Sequence, residues 1–378
     1  DAVAWDQVVK IVLSWVASPV LAGVISFILF RSLQNLIIDT NDPFDNAKKY
    51  VPYYMGRSVT VTDAISIPTS LPDFRDLDMD FDIIDSHHHL FDLDQVYYPW
   101  LTDHHEPNML LGNYDAIKQN YSPADYRRDI DDLRIVKTVH VEAEADREDP
   151  VAETRWLVQS MQDARLPSAI VAHAWLNAPN SEYVLAAQSE FKEVRGIRSK
   201  PLTSTNEKTR DVVRSKPRSL QDPIWRNGLG LLCKYNLTWD LRVPFWHLSE
   251  AAEVCGLYPD LPIVVEHTGL PWDRSEYGLS EWRRGMKQLA AHEHVMLKIS
   301  ELGLMGAPWD YLENKEVVLN SIEIFGFNRC MFASNFPVSK LRIGYVDLVK
   351  AIAHMIKDAT KTERSALFHD TAKKFYRL

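Results

Sequence analysis

Cysteine is scarce in this chain, and its spacing suggests neither a metal cage nor a disulfide framework. The 378 residues include three cysteines, Cys233, Cys255 and Cys330, without a Cys-x-x-Cys pair. An odd number of widely separated thiols is typical of reduced cysteines in a cytosolic protein. The sequence therefore predicts that all three are packing residues.

Positive charge is also in short supply. The formal net charge is -10, and no run rich in lysine or arginine interrupts the acidic balance. A protein that neutralises phosphates normally presents a basic face, so a nucleic-acid partner is excluded. No Gly-x-Gly-x-x-Gly follows any strand-like segment, which argues against a dinucleotide site. Position 1 is not a methionine, and we expect the start of the chain to be incomplete.

One long uncharged run stands apart from the rest. The twenty residues from Ile11 to Phe30 carry no charge, which is about the length of a helix that crosses a hydrocarbon core. A buried core helix is the alternative. Basic residues on its carboxyl side, such as Arg31 and Lys48, favour a cytoplasmic location for everything that follows. Membrane anchoring through residues 11–30 is therefore expected.

The same region resembles part of an inorganic phosphate permease over about the first 55 residues. The resemblance is carried by Trp5-Asp6-Gln7, Ser14–Pro19, Asn41–Phe44 and Tyr50-Val51-Pro52. A single helix cannot form a transport path, because transporters build their sites between several helices. We therefore interpret 1–57 as a transmembrane-like fragment, 58–80 as a linker and 81–378 as a separate enzyme domain.

Eight short apolar or β-branched runs recur between amphipathic segments after the linker. They are Phe81–Ser86, Val136–Val141, Ala169–Ala174, Val194–Arg198, Leu237–Val243, Ile263–His267, Val295–Ser300 and Cys330–Ser334. Strand followed by helix, eight times over, predicts an α/β fold of the (β/α)8 TIM barrel type. An open doubly wound sheet is the alternative, but it has no dinucleotide motif to support it.

Histidines follow the first of these strands. A side-chain period of two places Ile83, Asp85, His87 and His89 on one face, and Ile84, Ser86 and His88 on the other. Imidazole is the commonest ligand for divalent metals and the usual general base near neutral pH. The sequence therefore predicts that His87 and His89 hold a metal or a water.

Chemistry in such a barrel lies at the carboxyl ends of the strands. Further candidates at those ends are Glu142, Arg198, Asp240, His267, Glu301 and Asn335. Arg198 is expected to anchor a substrate carboxylate, with pairing to an acid at the barrel rim as the alternative. Asp240 is read either as a substrate contact or as a structural hydrogen-bond acceptor. The loops Tyr98–Asn113 and Lys200–Pro217 are expected to determine which substrate fits.

The barrel region also resembles the amidohydrolase-related family that contains sugar-lactone and dicarboxylate-lactone hydrolases. The matching segments are Ile84–Asp92, Tyr98–Leu101, Tyr126–Asp129, Glu153–Leu157, Arg195–Arg198, Trp239–Leu241, Glu266–Pro271, Leu297–Ser300, Met331–Val338 and Lys374–Leu378. The resemblance implies a distorted barrel that opens a lactone or related carboxylic derivative, with or without one divalent metal such as zinc or manganese. It implies that His87, His89 and His267 hold the metal or order the water, and that Trp100 contacts the substrate.

One position departs from the family pattern. The eighth strand commonly ends Gly-Ser-Asp-Trp-Pro, whose Asp is the general base, but here Asn335 occupies that position. A neutral amide cannot take a proton at neutral pH. We therefore expect Glu301, Glu142 or His267 to act as the base. The leading hypothesis is a lactone-type hydrolase of a small carboxylated or hydroxylated ring, with a related decarboxylase or a catalytically weakened, membrane-tethered binding protein as alternatives.

Overall fold

The computed structural model of the chain describes residues 71–106 and 111–378, with the isolated positions 27, 30–32, 34 and 35. The chain divides into two compact units, Asp1–Ile65 and Ser66–Leu378. The predicted membrane helix at 11–30 lies outside the described residues, apart from Phe27 and Phe30. Within the part of the chain that is described, no helix is both long enough and apolar enough to cross a membrane.

The second unit is built on a sheet of eight parallel strands in the order of the sequence, and it forms a nearly closed barrel. The predicted (β/α)8 architecture is therefore confirmed. The strands are β1 Ile83–His88, β2 Ile135–Val141, β3 Ala169–His173, β4 Val194–Arg198, β5 Thr238–Leu241, β6 Ile263–Val265, β7 Val295–Ile299 and β8 Cys330–Phe332.

Helices follow the strands and cover the outside of the barrel. The α-helices are α1 Pro99–Thr102, α2 Pro123–Ile130, α3 Ala152–Ala164, α4 Ser181–Ser189, α5 Pro223–Lys234, α6 Leu248–Leu257, α7 Glu276–Ala290, α8 Tyr311–Phe325, α9 Tyr345–Met355, α10 Lys361–Ser365 and α11 Thr371–Tyr376. Several begin with clear capping signals: Ser122 and Thr360 form capping boxes at α2 and α10, and Asp310 caps α8.

Two apolar clusters follow from the strand alternation. The larger lies between the sheet and the helices, while a smaller one fills the barrel interior. The interior cluster is formed by Ile84, Val139, Val141, Ala169, Val171, Val264 and Met331, with Ala372, Phe375 and Tyr376 of the last helix. The carboxyl-terminal helix therefore contributes to the packed interior beneath the strand ends.

The seam between β8 and β1 is closed by the segment that follows β8. His88 bridges to Phe336, the amide of Asn335 donates to the carbonyl of His87 at 2.7 Å, and the amide of His89 donates to Phe336 at 2.7 Å. This segment therefore stands in for further residues of β8 and places Asn335 beside the histidines of β1.

The buried carboxylate of Asp85 stabilises the same seam by accepting several hydrogen bonds. It accepts from the hydroxyls of Tyr126 on α2 at 2.8 Å and Tyr345 on α9 at 2.9 Å. Ser334 donates to it through its amide at 2.9 Å and its hydroxyl at 2.6 Å. Hydrogen bonds to a charged acceptor are stronger than neutral ones, so one side chain connects β1, two helices and the end of β8.

The predicted alternation along β1 is wrong at Asp85. Its carboxylate reaches helices outside the sheet, whereas Ile84 packs in the interior and His87 contacts His267 there. The β1–β2 register shifts between Asp85 and His88, which marks a bulge or irregularity. A bulge inserts an extra residue and redirects side chains, so the period of two does not hold across it.

Replacing Asp85 with Asn tests the importance of this seam. The amide cannot accept all of these hydrogen bonds and turns donor hydrogens toward buried hydroxyls, so the free energy of unfolding should fall by about 3 kcal/mol. Urea unfolding of the full chain measures it. Tyr126→Phe, which removes a single hydroxyl, should cost about 1 kcal/mol. An Asp85→Asn variant as stable as the parent would show that the seam does not depend on this carboxylate.

Candidate active site

The carboxyl ends of the strands open into a cavity. Its polar and aromatic lining is formed by His89, Trp100, Glu144, Arg198, Lys200, Arg242, His267, Trp272, Glu301 and Asn335. Six of the predicted site residues are thus brought together around one space: His89, Trp100, Arg198, His267, Glu301 and Asn335. The other three, His87, Glu142 and Asp240, are buried and do not line the cavity.

His87 and His89 face each other at the end of β1. Their Nε2 atoms lie 3.3 Å apart, and the Nδ1 of His89 lies 2.7 Å from the carbonyl oxygen of Val141. Because a carbonyl only accepts, we assign the hydrogen of His89 to Nδ1, which leaves its Nε2 as an acceptor. Burial and then the positive charge of Arg198 hold the pKa of His89 well below its usual value, so the ring is neutral at pH 7.

The Nδ1 of His87 lies between a donor and an acceptor, 3.4 Å from the ammonium of Lys298 and 3.3 Å from the carboxylate of Glu266. If Nδ1 carries the hydrogen, it faces Glu266 and the Nε2 keeps its lone pair. If Nε2 carries the hydrogen, it donates to His89, and Nδ1 accepts from the ammonium of Lys298. If a metal is bound instead, both Nε2 atoms offer lone pairs, at a separation compatible with two ligands of one ion. Burial and the charge of Lys298 hold the pKa of His87 well below its usual value.

Asn335 connects His89 to Glu301. Its Oδ1 lies 3.2 Å from Nε2 of His89, and its Nδ2 donates to the Glu301 carboxylate, which Ser339 also approaches at 3.4 Å. Both Asn335 and Glu301 have left-handed backbone angles, with φ of 54° and 46°. Such angles are uncommon outside glycine and, when they occur, often mark functional sites. The amide that stands in place of the family aspartate is therefore bonded directly to the carboxylate of Glu301.

His267 contributes the third imidazole. Its Nδ1 lies 2.9 Å from the hydroxyl oxygen of Ser300, and its ring centroid is 4.7 Å from that of His87. Burial and then the charges of Arg242 and Arg198 hold its pKa well below the usual value. When Ser300 donates to Nδ1, the hydrogen lies on Nε2, which is 3.7 Å from the Glu266 carboxylate and can donate toward a substrate oxygen.

A possible ligand group for a metal includes a residue that the sequence reading missed. His87, Glu266 and His267 each place one ligand atom within 4.8 Å of the others. Glu266 is fully buried, and its Oε1 has no hydrogen-bond partner among the described residues, although it lies 3.3 Å from Nδ1 of His87. Two imidazoles and a carboxylate are a donor set for zinc or manganese, so the residues fit one divalent ion. The predicted ligand set named His89 rather than Glu266.

Arg198 is held by buried carboxylates. Its Nε donates to Glu142 at 2.8 Å and its Nη1 to Glu266 at 3.2 Å, while Nη2 donates to the carbonyl of Glu142. Burial opposes ionisation of Glu142, but the guanidinium groups of Arg198 and Arg147 outweigh it and hold its pKa well below the usual range. The rim-pairing alternative for Arg198 therefore agrees with this geometry, and three of its nitrogens are already engaged.

Asp240 and Lys298 form the floor beneath His87. Lys298 donates to Asp240 at 2.6 Å, and the hydroxyl of Tyr376 lies 2.9 Å from both oxygens of that carboxylate. Burial raises the pKa of Asp240 to about 6, against the opposing effect of Lys298. The geometry matches the reading of Asp240 as a structural acceptor. Trp100 is also anchored, since its indole N–H donates to the carbonyl of Ala143 at 2.8 Å.

Arg242 is the cationic side chain that sequence reasoning overlooked. It directly follows β5 and lines the cavity, and its guanidinium stands 5.8 Å from the ring centroid of Trp272. Among the described residues it has no carboxylate partner, in contrast to Arg198. Alternation could have indicated it, because Asp240 and Arg242 share the inward period of two at the end of a strand.

Comparisons with known proteins agree with this architecture. The amidohydrolase family model matches residues 84–378. An uncharacterized protein of Sinorhizobium fredii is 36% identical over 299 residues, which span 79% of this chain and 99% of that protein. The L-fucono-1,5-lactonase of Burkholderia multivorans is 25% identical over 308 residues, or 78% of this chain and 96% of that one.

Solved structures show the same fold. An amidohydrolase from Burkholderia multivorans with bound zinc has a TM-score of 0.63 at 24% identity, covering 79% of this chain and 100% of that one. The 5-carboxyvanillate decarboxylase of Novosphingobium aromaticivorans, complexed with manganese, has a TM-score of 0.54 at 12% identity, covering 80% and 97%. At these identities the likeness shows the fold alone.

A short segment has a different relative. Over 71 residues the chain is 43% identical to a phosphate permease of Haemophilus influenzae, and this is 17% of that protein's length. The resemblance of a short segment to a permease is thereby confirmed. The shared length is too small to transfer the activity of the permease.

The two arginines should respond differently to substitution. Arg198→Met leaves the buried carboxylate of Glu266 without its arginine and Glu142 with Arg147 alone, so the free energy of unfolding should fall by about 3–5 kcal/mol. Arg242→Met removes no ion-pair partner from a described carboxylate, so the free energy of unfolding should change by less than about 1 kcal/mol. Urea unfolding of both variants measures the difference. Equal stability of the two variants would contradict the structural role of Arg198.

Proposed function

The chain belongs to the amidohydrolase family, and on that premise we propose that it hydrolyses a small lactone or related cyclic carboxylic ester in the cavity at the strand ends. The observation that carries the proposal is the Glu301 carboxylate, bonded to Asn335 beside His89 and open to the cavity. It puts a proton acceptor next to the position where the family has its catalytic aspartate.

The hydrogen-bond acceptors of His89, Asn335 and Glu301 favour the binding of a water molecule between them. The Nε2 of His89 and the Oδ1 of Asn335 lie 3.2 Å apart, and in the tautomers assigned above neither carries a hydrogen. Two neighbouring acceptors repel each other unless a donor stands between them. A water uses its two hydrogens here, one shared by the Nε2 and Oδ1 acceptors and the other donated to Glu301, and its oxygen lone pair is then directed into the cavity.

Residues of this chain can take up and return every proton that the reaction moves. The water oxygen attacks the carbonyl carbon while Glu301 takes one of its protons, and the Nε2–H of His267 donates to the carbonyl oxygen as negative charge develops there. The ring carbon–oxygen bond then breaks, and the protonated Glu301 returns its proton to the leaving ring oxygen. The product is an open-chain hydroxy acid, and Glu301 is again a carboxylate.

Arg242 and two tryptophans, Trp100 and Trp272, are expected to orient the substrate. Arg242 offers guanidinium hydrogens with no carboxylate partner among the described residues, and Trp100 and Trp272 provide flat surfaces along the same cavity. A guanidinium binds carboxylate through two parallel hydrogen bonds, and aromatic faces pack against rings. A hydroxylated or carboxylated ring therefore suits the space.

A divalent metal is compatible with this arrangement. Zinc or manganese held by His87 and His267, with Glu266 or His89, would supply Lewis-acid polarisation of the substrate carbonyl or the water. With Glu266 as the third ligand, the acceptor pair and the carboxylate of Glu301 keep their roles; with His89 as the third ligand, its Nε2 lone pair would go to the metal and Glu301 alone would keep its role.

The distant lactonase relative supports a ring ester as the substrate class, since the match with the Burkholderia enzyme spans 96% of that protein. Decarboxylation is the competing chemistry, because a barrel of the same fold carries it in the Novosphingobium protein. The membrane anchor and the cytoplasmic location stay predictions from the sequence.

Glu301→Gln tests the assigned base. Because general-base catalysis is worth about 10²–10⁴-fold, kcat should fall by about that factor on the best substrate from a panel of aldonolactones, measured as acid release in a pH-stat. Glu293→Gln, at an exposed glutamate, is the matched control and should be unchanged. Carbon dioxide release without lactone opening would favour a decarboxylase, and activity that arises only with Asn335→Asp would favour a binding protein.

Metal content gives an independent test of the ligand group. Full-length protein should contain about one equivalent of zinc or manganese by elemental mass spectrometry, because the two imidazoles and the carboxylate form an incomplete tetrahedral site. His267→Ala should lose most of the metal, whereas Glu293→Gln should retain it. Protein that takes up no stoichiometric metal even after incubation with zinc or manganese would show that the histidines act without one.

A further inference from the structure

A second groove continues from the active-site cavity across the face formed by the strand ends. It shares Glu144, Lys200, Arg242 and Trp272 with the inner cavity. Its own lining adds Trp175, Arg218 and the loop from Pro201 to Thr205. A molecule longer than one ring can therefore occupy both spaces at once.

The charges of this groove are unequally paired. Glu144 forms ion pairs with Arg147, at 2.7 Å, and with Lys200. Glu106 also lines the groove, and its carboxylate lies 3.9 Å from His104. The two guanidinium groups of Arg218 and Arg242, by contrast, have no carboxylate partner among the described residues.

Arg218 is held in place without having its donors used. Its guanidinium stacks over the ring of Trp175, with the central carbon 4.4 Å from the ring centroid. The backbone of Arg218 is fixed separately: its amide donates to Asp222 at 2.6 Å, and its carbonyl accepts from Leu202 at 2.9 Å. The Nε of the side chain is buried and has no hydrogen-bond partner in the described structure.

The Nε is enclosed by protein, so a molecule in the groove does not reach it. The Nη1 and Nη2 atoms at the tip of the same guanidinium form no hydrogen bond with a described residue, and an anion in the groove supplies acceptors for them. Trp175 fixes the orientation of the planar guanidinium by stacking against it. The edge of the guanidinium then remains available, and its paired N–H groups match the geometry of carboxylate or phosphate.

We propose that Arg218 and Trp175 form an outer anion subsite, which takes an acidic group at the far end of a substrate whose ring lies against Arg242 and His267. The acidic group is a carboxylate or a phosphate, and the substrate is therefore a ring compound with an acidic substituent carried on an arm. The proposal deepens the proposed hydrolase function and rests on it for the identity of the reacting end.

Equilibrium binding tests the outer subsite without requiring turnover. Linear dicarboxylates from malonate to sebacate are titrated into the full-length protein, and dissociation constants are measured by calorimetry. On the proposal, malonate, the shortest diacid, binds at Arg242 alone, whereas a longer diacid also reaches Arg218. We expect affinity to rise with length and then level off.

Arg218→Gln should lower the affinity for the best long diacid by about tenfold, since a hydrogen-bonded charge is lost, and should leave malonate unchanged. Arg218→Lys keeps the charge but loses the planar pair of donors, so its loss should be smaller. Arg284→Gln on α7, an exposed arginine paired with Glu281, is the matched control and should change neither affinity.

Two outcomes would overturn the subsite: unchanged affinities in Arg218→Gln, or an equal loss for malonate and the long diacid. Replacing one carboxylate of the best diacid with a phosphonate distinguishes the sources, because tighter binding that still depends on Arg218 identifies a phosphate group. Failure of Glu301→Gln to affect hydrolysis would refute the proposed mechanism but leave these binding results intact.

Discussion

The rest of the site depends on the hydrogen bonds that the carboxylate of Asp85 accepts. This carboxylate connects β1 to the end of β8 at the point where the barrel closes, and it is satisfied by hydroxyls from α2 and α9. With that seam fixed, the backbones of His87 and His89 bond directly to the segment that carries Asn335. Residues far apart in sequence are thereby held within hydrogen-bond distance.

Below the cavity, charge is balanced in buried pairs, whereas around it the pairing is left incomplete. Glu142 and Glu266 neutralise Arg198, and Asp240 neutralises Lys298. Buried ions are costly unless they are paired, so these groups are fixed in position and poorly suited to catch a ligand. Ligand recognition therefore falls to groups that form no buried ion pair: Arg242, Arg218 and Glu301, whose carboxylate accepts from the neutral side chains of Asn335 and Ser339.

Much of the fold could be predicted from the sequence, because eight apolar runs separated by amphipathic segments leave few alternatives to a barrel. The strand-end rule likewise identified His89, His267, Glu301 and Asn335 as neighbours. The bulge near Asp85 could not be predicted, because it depends on how one strand registers against the next. Nor could the pairing of Arg198, since an arginine that binds substrate and one that binds a buried carboxylate look the same in sequence.

Helix α11, near the end of the barrel sequence, supports a histidine near its beginning. The hydroxyl of Tyr376 bonds to Asp240, Asp240 holds Lys298, and Lys298 faces His87. The support beneath His87 is therefore complete only once α11 has packed into the interior of the barrel, so a chain cut short before Tyr376 would keep its eight strands and lose the group that holds Asp240.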